Sequence, residues 1–195
     1  MLTLPTRKFN LSEYHRLTEM GVFPHDERLE LIKGDLIKMA AKNTRHTVCL
    51  SRLLKQLAIL AINERAIIRM QDPITLGNDS EPEPDLVIAK IKEDDYLSSH
   101  PTPDDIILVI EISDSSLRLD QEVKLPLYAQ YQIPNYWILN VIDNCLETYS
   151  QPFQDKQGKS KYLHCAIFTD NDTVTIPNFP DISLNLTSIF SQINH

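Results

Sequence analysis

Ile106, Ile107, Leu108, Val109, Ile110, Glu111 and Ile112 form a run that is apolar at every position but one. A short β-branched run with no Gly or Pro inside it predicts a strand buried on both faces, in the middle of a sheet. Covering both faces takes helices or further sheet above and below, so the run points to an α/β architecture. Its neighbours agree. Residues 66–70 and 85–89 read as further strands, as do 136–139 and 145–149, while 162–168 and 173–176 read as an antiparallel extension of the sheet.

Helices fill the intervals. Between residues 43 and 64, Val48, Leu50, Leu53, Leu54, Leu57, Leu60 and Ala61 recur at three- and four-residue steps, with Asn43 or Thr44 as a cap. Residues 10–20 predict a short helix with Ser12 as N-cap and with Leu11, Tyr14 and Leu17 on one face. Residues 29–39 predict two short strands turning at Gly34 and Asp35. After Ile112 comes a polar turn, residues 113–120, then a helix carrying Val123, Leu127 and Tyr131. Pro126 means that this helix starts near it or bends there, because an interior proline costs about 3 kcal/mol. Residues 181–190 close the fold with a short segment or helix. No stretch reads as a linker, so residues 1–195 are expected to form one domain, with residues 1–28 as a helical lead-in.

Composition removes several function classes. The 195 residues include 19 Lys+Arg and 27 Asp+Glu, a formal charge of −8, which argues against a protein that coats nucleic acid indiscriminately. The four glycines, Gly21, Gly34, Gly77 and Gly158, are too scattered for a P-loop or a dinucleotide fingerprint. Cys49, Cys145 and Cys165 are odd in number and widely spaced, which fits neither a disulfide framework nor zinc, and suits a reducing cytoplasm. The N-terminus lacks the apolar region of a signal peptide, and the most apolar run, residues 57–62, is too short to span a membrane. The expectation is a soluble cytoplasmic protein.

The chemistry is expected where carboxylates meet apolar surroundings. Glu111 interrupts the buried run, and an acid there must be paired, hydrogen-bonded or metal-bound. Asp85 opens another strand directly after Pro84. Acids on two adjacent strands can reach one hard divalent cation, and magnesium suits such a site because it retains water and phosphate oxygen as its other ligands. With Lys124 about a dozen residues on, the set describes metal-dependent hydrolysis of a phosphodiester.

These residues also follow a known order. Glu83-Pro84-Asp85-Leu86, then Val109-Ile110-Glu111-Ile112-Ser113, then Asp120, Lys124 and Tyr128 at four-residue steps, then Tyr136-Trp137-Ile138 resemble the Uma-two family of restriction-endonuclease-like proteins, within the PD-(D/E)-x-K nuclease superfamily. Glu30 to Gly34 and His46 match that pattern too. The resemblance covers roughly residues 10–150 and implies a restriction-endonuclease-like mixed sheet with an antiparallel extension. It implies that Asp85 and Glu111 hold Mg²⁺ or Mn²⁺ together with the carbonyl of Ile112. The superfamily lysine normally lies two residues after the second acid, where this chain has Ser113, and the family pattern moves the role to Lys124. Glu30 would complete the catalytic set, with His46, Tyr128 and Ser113 supporting. Asp114, Gln132 and Asn140 depart from the family's frequent proline, glycine and aspartate, and none is a proposed ligand.

Each residue also admits a plainer role: Lys124 as a solvated helix residue, Glu30 paired with Lys33 or Arg28, His46 as a structural hydrogen-bonder, Tyr128 as core with a satisfied hydroxyl. The leading functional expectation is a divalent-metal-dependent endonuclease acting on DNA, as a homodimer. The alternatives are an inactive nuclease-fold module for binding or dimerisation, and a hydrolase of a small phosphate ester.

Overall fold

The computed structural model of the chain describes residues 6–24 and 27–192, so residues 1–5 and 25–26 of the expected lead-in lie outside the described residues. Helix α1 (Leu11–Glu19) leads to a hairpin of β1 (Leu29–Ile32) and β2 (Asp35–Lys38), then to the long helix α2 (Thr44–Ile62). Strands β3 (Ile67–Arg69), β4 (Leu86–Ala89) and β5 (Ile106–Ser113) follow. A helical crossover comes next: α3 (Leu117–Leu119), a π-helical turn (Asp120–Lys124) and α4 (Leu125–Gln130). The chain ends in β6 (Asn135–Asn140), β7 (Cys145–Gln154), β8 (Ser160–Thr169), β9 (Thr173–Ile176), β10 (Phe179–Asn185) and α5 (Leu186–Phe190).

Six strands form one sheet in the order β3-β4-β5-β6-β7-β8. Only β5 and β6 run parallel, and a parallel pair needs a long crossover between its strands, which is the helical segment from α3 to α4. Every residue of β5 is buried, as its apolar run predicts. Alternation sends Leu108, Ile110 and Ile112 to one side, where they share a core with Cys49, Leu53, Leu57 and Leu60 of α2 and with Leu186 and Ile189 of α5. Val109 goes to the other side, against Leu127, Tyr128 and Ala129 of α4. Glu111 and Ser113 share the Val109 side by the same period, and so face the helical crossover. The mixed α/β sheet with an antiparallel end, β6 to β8, matches the expected fold.

Of three local details, two differ from the sequence reading and one meets it. Asn10 caps α1 in place of Ser12: its Oδ1 accepts the Glu13 N–H at 2.9 Å, and Glu13 Oε2 accepts the Asn10 N–H at 3.1 Å. This reciprocal capping box satisfies two backbone donors, one more than a lone Ser12 hydroxyl offers. At Pro126 the expectation that the helix starts near it is met: α4 begins at Leu125, and the π turn lies just before it, with the Leu125 N–H donating to the Asp120 carbonyl. Proline has no N–H to continue either register, so the widened turn ends at α4 with Pro126 in its first turn. Third, residues 179–185 extend the closing segment into a strand paired with β9 before the short helix α5.

The β1–β2 hairpin lies outside the main sheet and is held by its turn. Gly34 has φ +77°, its N–H donates to the Asp79 carbonyl at 2.8 Å, and its own carbonyl accepts the Phe9 N–H at 2.9 Å. A Cβ there would stand 2.6 Å from Lys8 Cβ and 3.0 Å from the Phe9 carbonyl oxygen. Gly34→Ala is therefore expected to destabilise the protein by about 1–2 kcal/mol through left-handed strain alone, with the clash adding to it. Urea unfolding checks this, and a midpoint equal to that of the wild type would count against the tether.

Candidate active site

Four segments deliver the charged residues to one cleft. Glu30 comes from β1, Asp85 from the residue before β4, Glu111 from β5 and Lys124 from the end of the π turn. Glu30, Glu111 and Lys124 are 1%, 3% and 4% exposed, so their interactions take place almost without solvent. The Lys124 ammonium donates to Glu111 Oε1 at 2.9 Å and lies 3.2 Å from Glu30 Oε2. Tyr128, one turn further along the helix, donates its hydroxyl to the same Glu111 Oε1 at 2.9 Å.

Asp85 is fixed from three directions. Its Oδ2 accepts the Ile112 N–H at 2.9 Å, its Oδ1 lies 2.8 Å from His46 Nε2, and its own N–H reaches Glu111 Oε2 at 3.3 Å. Both acids border one cleft, a precondition for sharing an ion. Burial disfavours a charged Asp85, yet the hydrogen bond and charge of His46, the Ile112 N–H and Lys124 hold its carboxyl below the usual range. Glu111 behaves oppositely. Burial pushes it up to about 8, with Lys124 opposing and Asp120, Asp85 and Glu30 adding to the rise. Burial also works against the Lys124 ammonium, but Glu111, Glu30 and Asp120 more than offset it and raise its pKa.

The cleft has about 70 Å³ of room for water-sized molecules and is bordered by Lys42, Asn43, Glu83, Asp114 and Asp120 besides the residues above. Tyr128 and Ser113 stand behind the cleft wall. The Ser113 hydroxyl donates to Asp120 Oδ2 at 2.5 Å, and Ser116 donates to the same oxygen at 2.8 Å. Asp120 is thus a buried acid facing the site that the sequence reading quoted only as a motif position. Its signal was the four-residue step to Lys124, which places both on one helix face. Lys42 carried no signal, and Glu83 only its place in the motif; Glu83 pairs with Arg28, and Glu30 contacts Lys124. The solvated role for Lys124 and the Lys33 or Arg28 pairing for Glu30 are therefore not what the packing produces.

These donors suit a hard cation. Glu30, Asp85, Glu111 and Asp120 border the cleft around the Lys124 ammonium; Glu111 and Asp120 are displaced upward chiefly by burial, with neighbouring carboxylates adding to the rise. Among the described residues no three His, Cys, Asp or Glu side chains are placed to hold a metal by themselves. A cation that keeps several waters and needs one or two carboxylates, as Mg²⁺ does, is compatible with that arrangement.

A family model described as "Uma2: Putative restriction endonuclease" matches residues 11–187. No curated protein matches the chain. Among solved structures, the crystal structure of "a putative nuclease belonging to DUF820 from Anabaena variabilis ATCC 29413" aligns with a TM-score of 0.72 at 14% identity, over 95% of this chain and 99% of that one. At that identity the likeness speaks for the fold. Among the described residues no helix is long and apolar enough to cross a membrane.

The raised Glu111 has a measurable consequence. An ordinary glutamate ionises near 4.5, against about 8 for Glu111 in the folded protein. Between those values the folded state holds the extra proton, so its stability falls as pH rises through the window. Glu111→Gln removes this dependence. The melting temperature of the variant relative to wild type should therefore climb from about pH 5 to about pH 8; parallel profiles would contradict a proton on Glu111.

Proposed function

The chain belongs to the Uma2 family, and from that premise and the geometry of the cleft we propose that it is a divalent-metal-dependent endonuclease acting on DNA. The observation that carries this reading is the convergence of Glu30 and Glu111 on Lys124 in one cleft that Asp85 also borders, with the Asp85 N–H reaching Glu111. In this reading Asp85, Glu111 and the Ile112 carbonyl hold Mg²⁺ or Mn²⁺. The bound ion would polarise the phosphodiester and make a water molecule nucleophilic near neutral pH. Lys124 offsets the charge that develops on the phosphoryl oxygens, held in place by Glu111 and Glu30. Tyr128 fixes the Glu111 carboxylate from behind, and His46 orients Asp85. Ser113 acts at one remove, by anchoring Asp120 on the helix that carries Lys124.

Nuclease-family membership implies a nucleic-acid partner. A chain of net charge −8 is expected to bind DNA weakly and with strong salt sensitivity. We further propose that the protein works as a cytoplasmic homodimer.

Asp85→Asn and Glu111→Gln should each lower Mg²⁺- or Mn²⁺-stimulated nicking of supercoiled plasmid by about 100-fold or more, with circular dichroism unchanged. Lys124→Met should lose cleavage while retaining Mn²⁺ binding in calorimetry. Undiminished nicking by both purified acid variants would refute the assignment. A wild type that binds neither Mg²⁺ nor Mn²⁺ at millimolar concentration would instead favour a nuclease-fold module without chemistry.

A further inference from the structure

The two edges of the main sheet are built very differently. Strand β3 is three residues long and carries Arg69, the usual protection of an edge. Strand β8, at the other end, is ten residues long and pairs only with β7. From residue 162 to 168 it reads Tyr162-Leu163-His164-Cys165-Ala166-Ile167-Phe168, with no Lys, Arg, acid, Pro or Gly. Leu163 and Ile167 are 60% and 67% exposed, and Cys165 between them is also exposed. A long apolar edge of this kind presents unpaired backbone donors and acceptors to any suitable strand.

The pattern of β8 points to which strand. Read outward from Cys165, both directions give a small or polar residue, then an aliphatic one, then an aromatic one. A second β8 laid antiparallel with Cys165 opposite Cys165 therefore sets Leu163 against Ile167 and Tyr162 against Phe168 on both halves of a two-fold pair. Charge agrees with this direction. Lys159 and Lys161 lie at the start of β8, and Asp170 and Asp172 just past its end. Antiparallel pairing brings the lysine-bearing start of one β8 beside the aspartate-bearing end of the other, whereas parallel pairing would bring the like-charged ends together.

We infer that β8 is the dimer interface, joining two copies edge to edge through an antiparallel β8–β8 pair centred on Cys165 and forming one sheet through both. This rests on the homodimer proposed above and is independent of the cleavage chemistry. The contact is isologous, so each substitution acts twice.

Sedimentation velocity and thiol cross-linking of the full chain test it. Ile167→Lys changes an exposed side chain and should raise the dimer Kd by about tenfold or more. Diamide, taking up two electrons and two protons from a pair of thiols, should link wild-type dimers through Cys165 and leave Cys165→Ser unlinked, because only cysteines nearly opposite each other can bond. A wild type that stays monomeric at every concentration overturns the interface and the homodimer together. A dimer that ignores Ile167→Lys, or that forms no Cys165 link, overturns the interface alone.

Discussion

A single ammonium group organises the centre of this protein. Lys124 is almost wholly removed from water, and it touches carboxylates from β1 and β5, which are remote in sequence. Taking such charges out of water costs several kcal/mol per ion, so the cluster persists only because each member is hydrogen-bonded. Tyr128 and the backbone N–H groups of Glu83, Asp85 and Ile112 supply those bonds. The consequence for the rest of the fold is strict. The hairpin, the strand pair β4–β5 and the helical crossover must all dock in one register, or a charge is left stranded in the core.

Much of this could be read in the amino-acid order. The run from Ile106 to Ile112 announced a central strand, and its one polar member announced a site, because an isolated acid in such a setting needs a partner. The period of two then dictates that Glu111 faces the helical crossover, where a four-residue ladder of Asp120, Lys124 and Tyr128 waits. The role of Asp120 was harder to see, since its partners are the hydroxyls of Ser113 and Ser116, residue types that equally suit a loop. The cap at Asn10 was hidden for a similar reason: Asn10 and Ser12 are both good capping residues, and only the return hydrogen bond of Glu13 decides between them.

The π turn was not legible at all, because a widened helical turn has no composition of its own. Its cause is nevertheless local, with Pro126 unable to supply the next backbone donor. Gln132 adds a related detail. It adopts φ +59° at the end of the crossover, the conformation for which glycine is the easiest choice, and so accounts for the residue type at that point in the family pattern. Asn140 likewise finds a local use: its Oδ1 accepts the N–H groups of Ile142 and Asp143 and shapes the turn after β6.

The hairpin that brings Glu30 has a consequence for how the protein comes to life. Besides its bond to Phe9, it meets the remainder of the chain through tethers such as the Leu31–Glu81 bridge and the Gly34–Asp79 hydrogen bond, made to residues far downstream. Contacts of such long sequence range form late, after the loops between them have closed. During synthesis the amino-terminal segments emerge well before Lys124 does. A nascent chain, or a collapsed intermediate that has not yet seated its hairpin, therefore lacks the contact between Glu30 and Lys124.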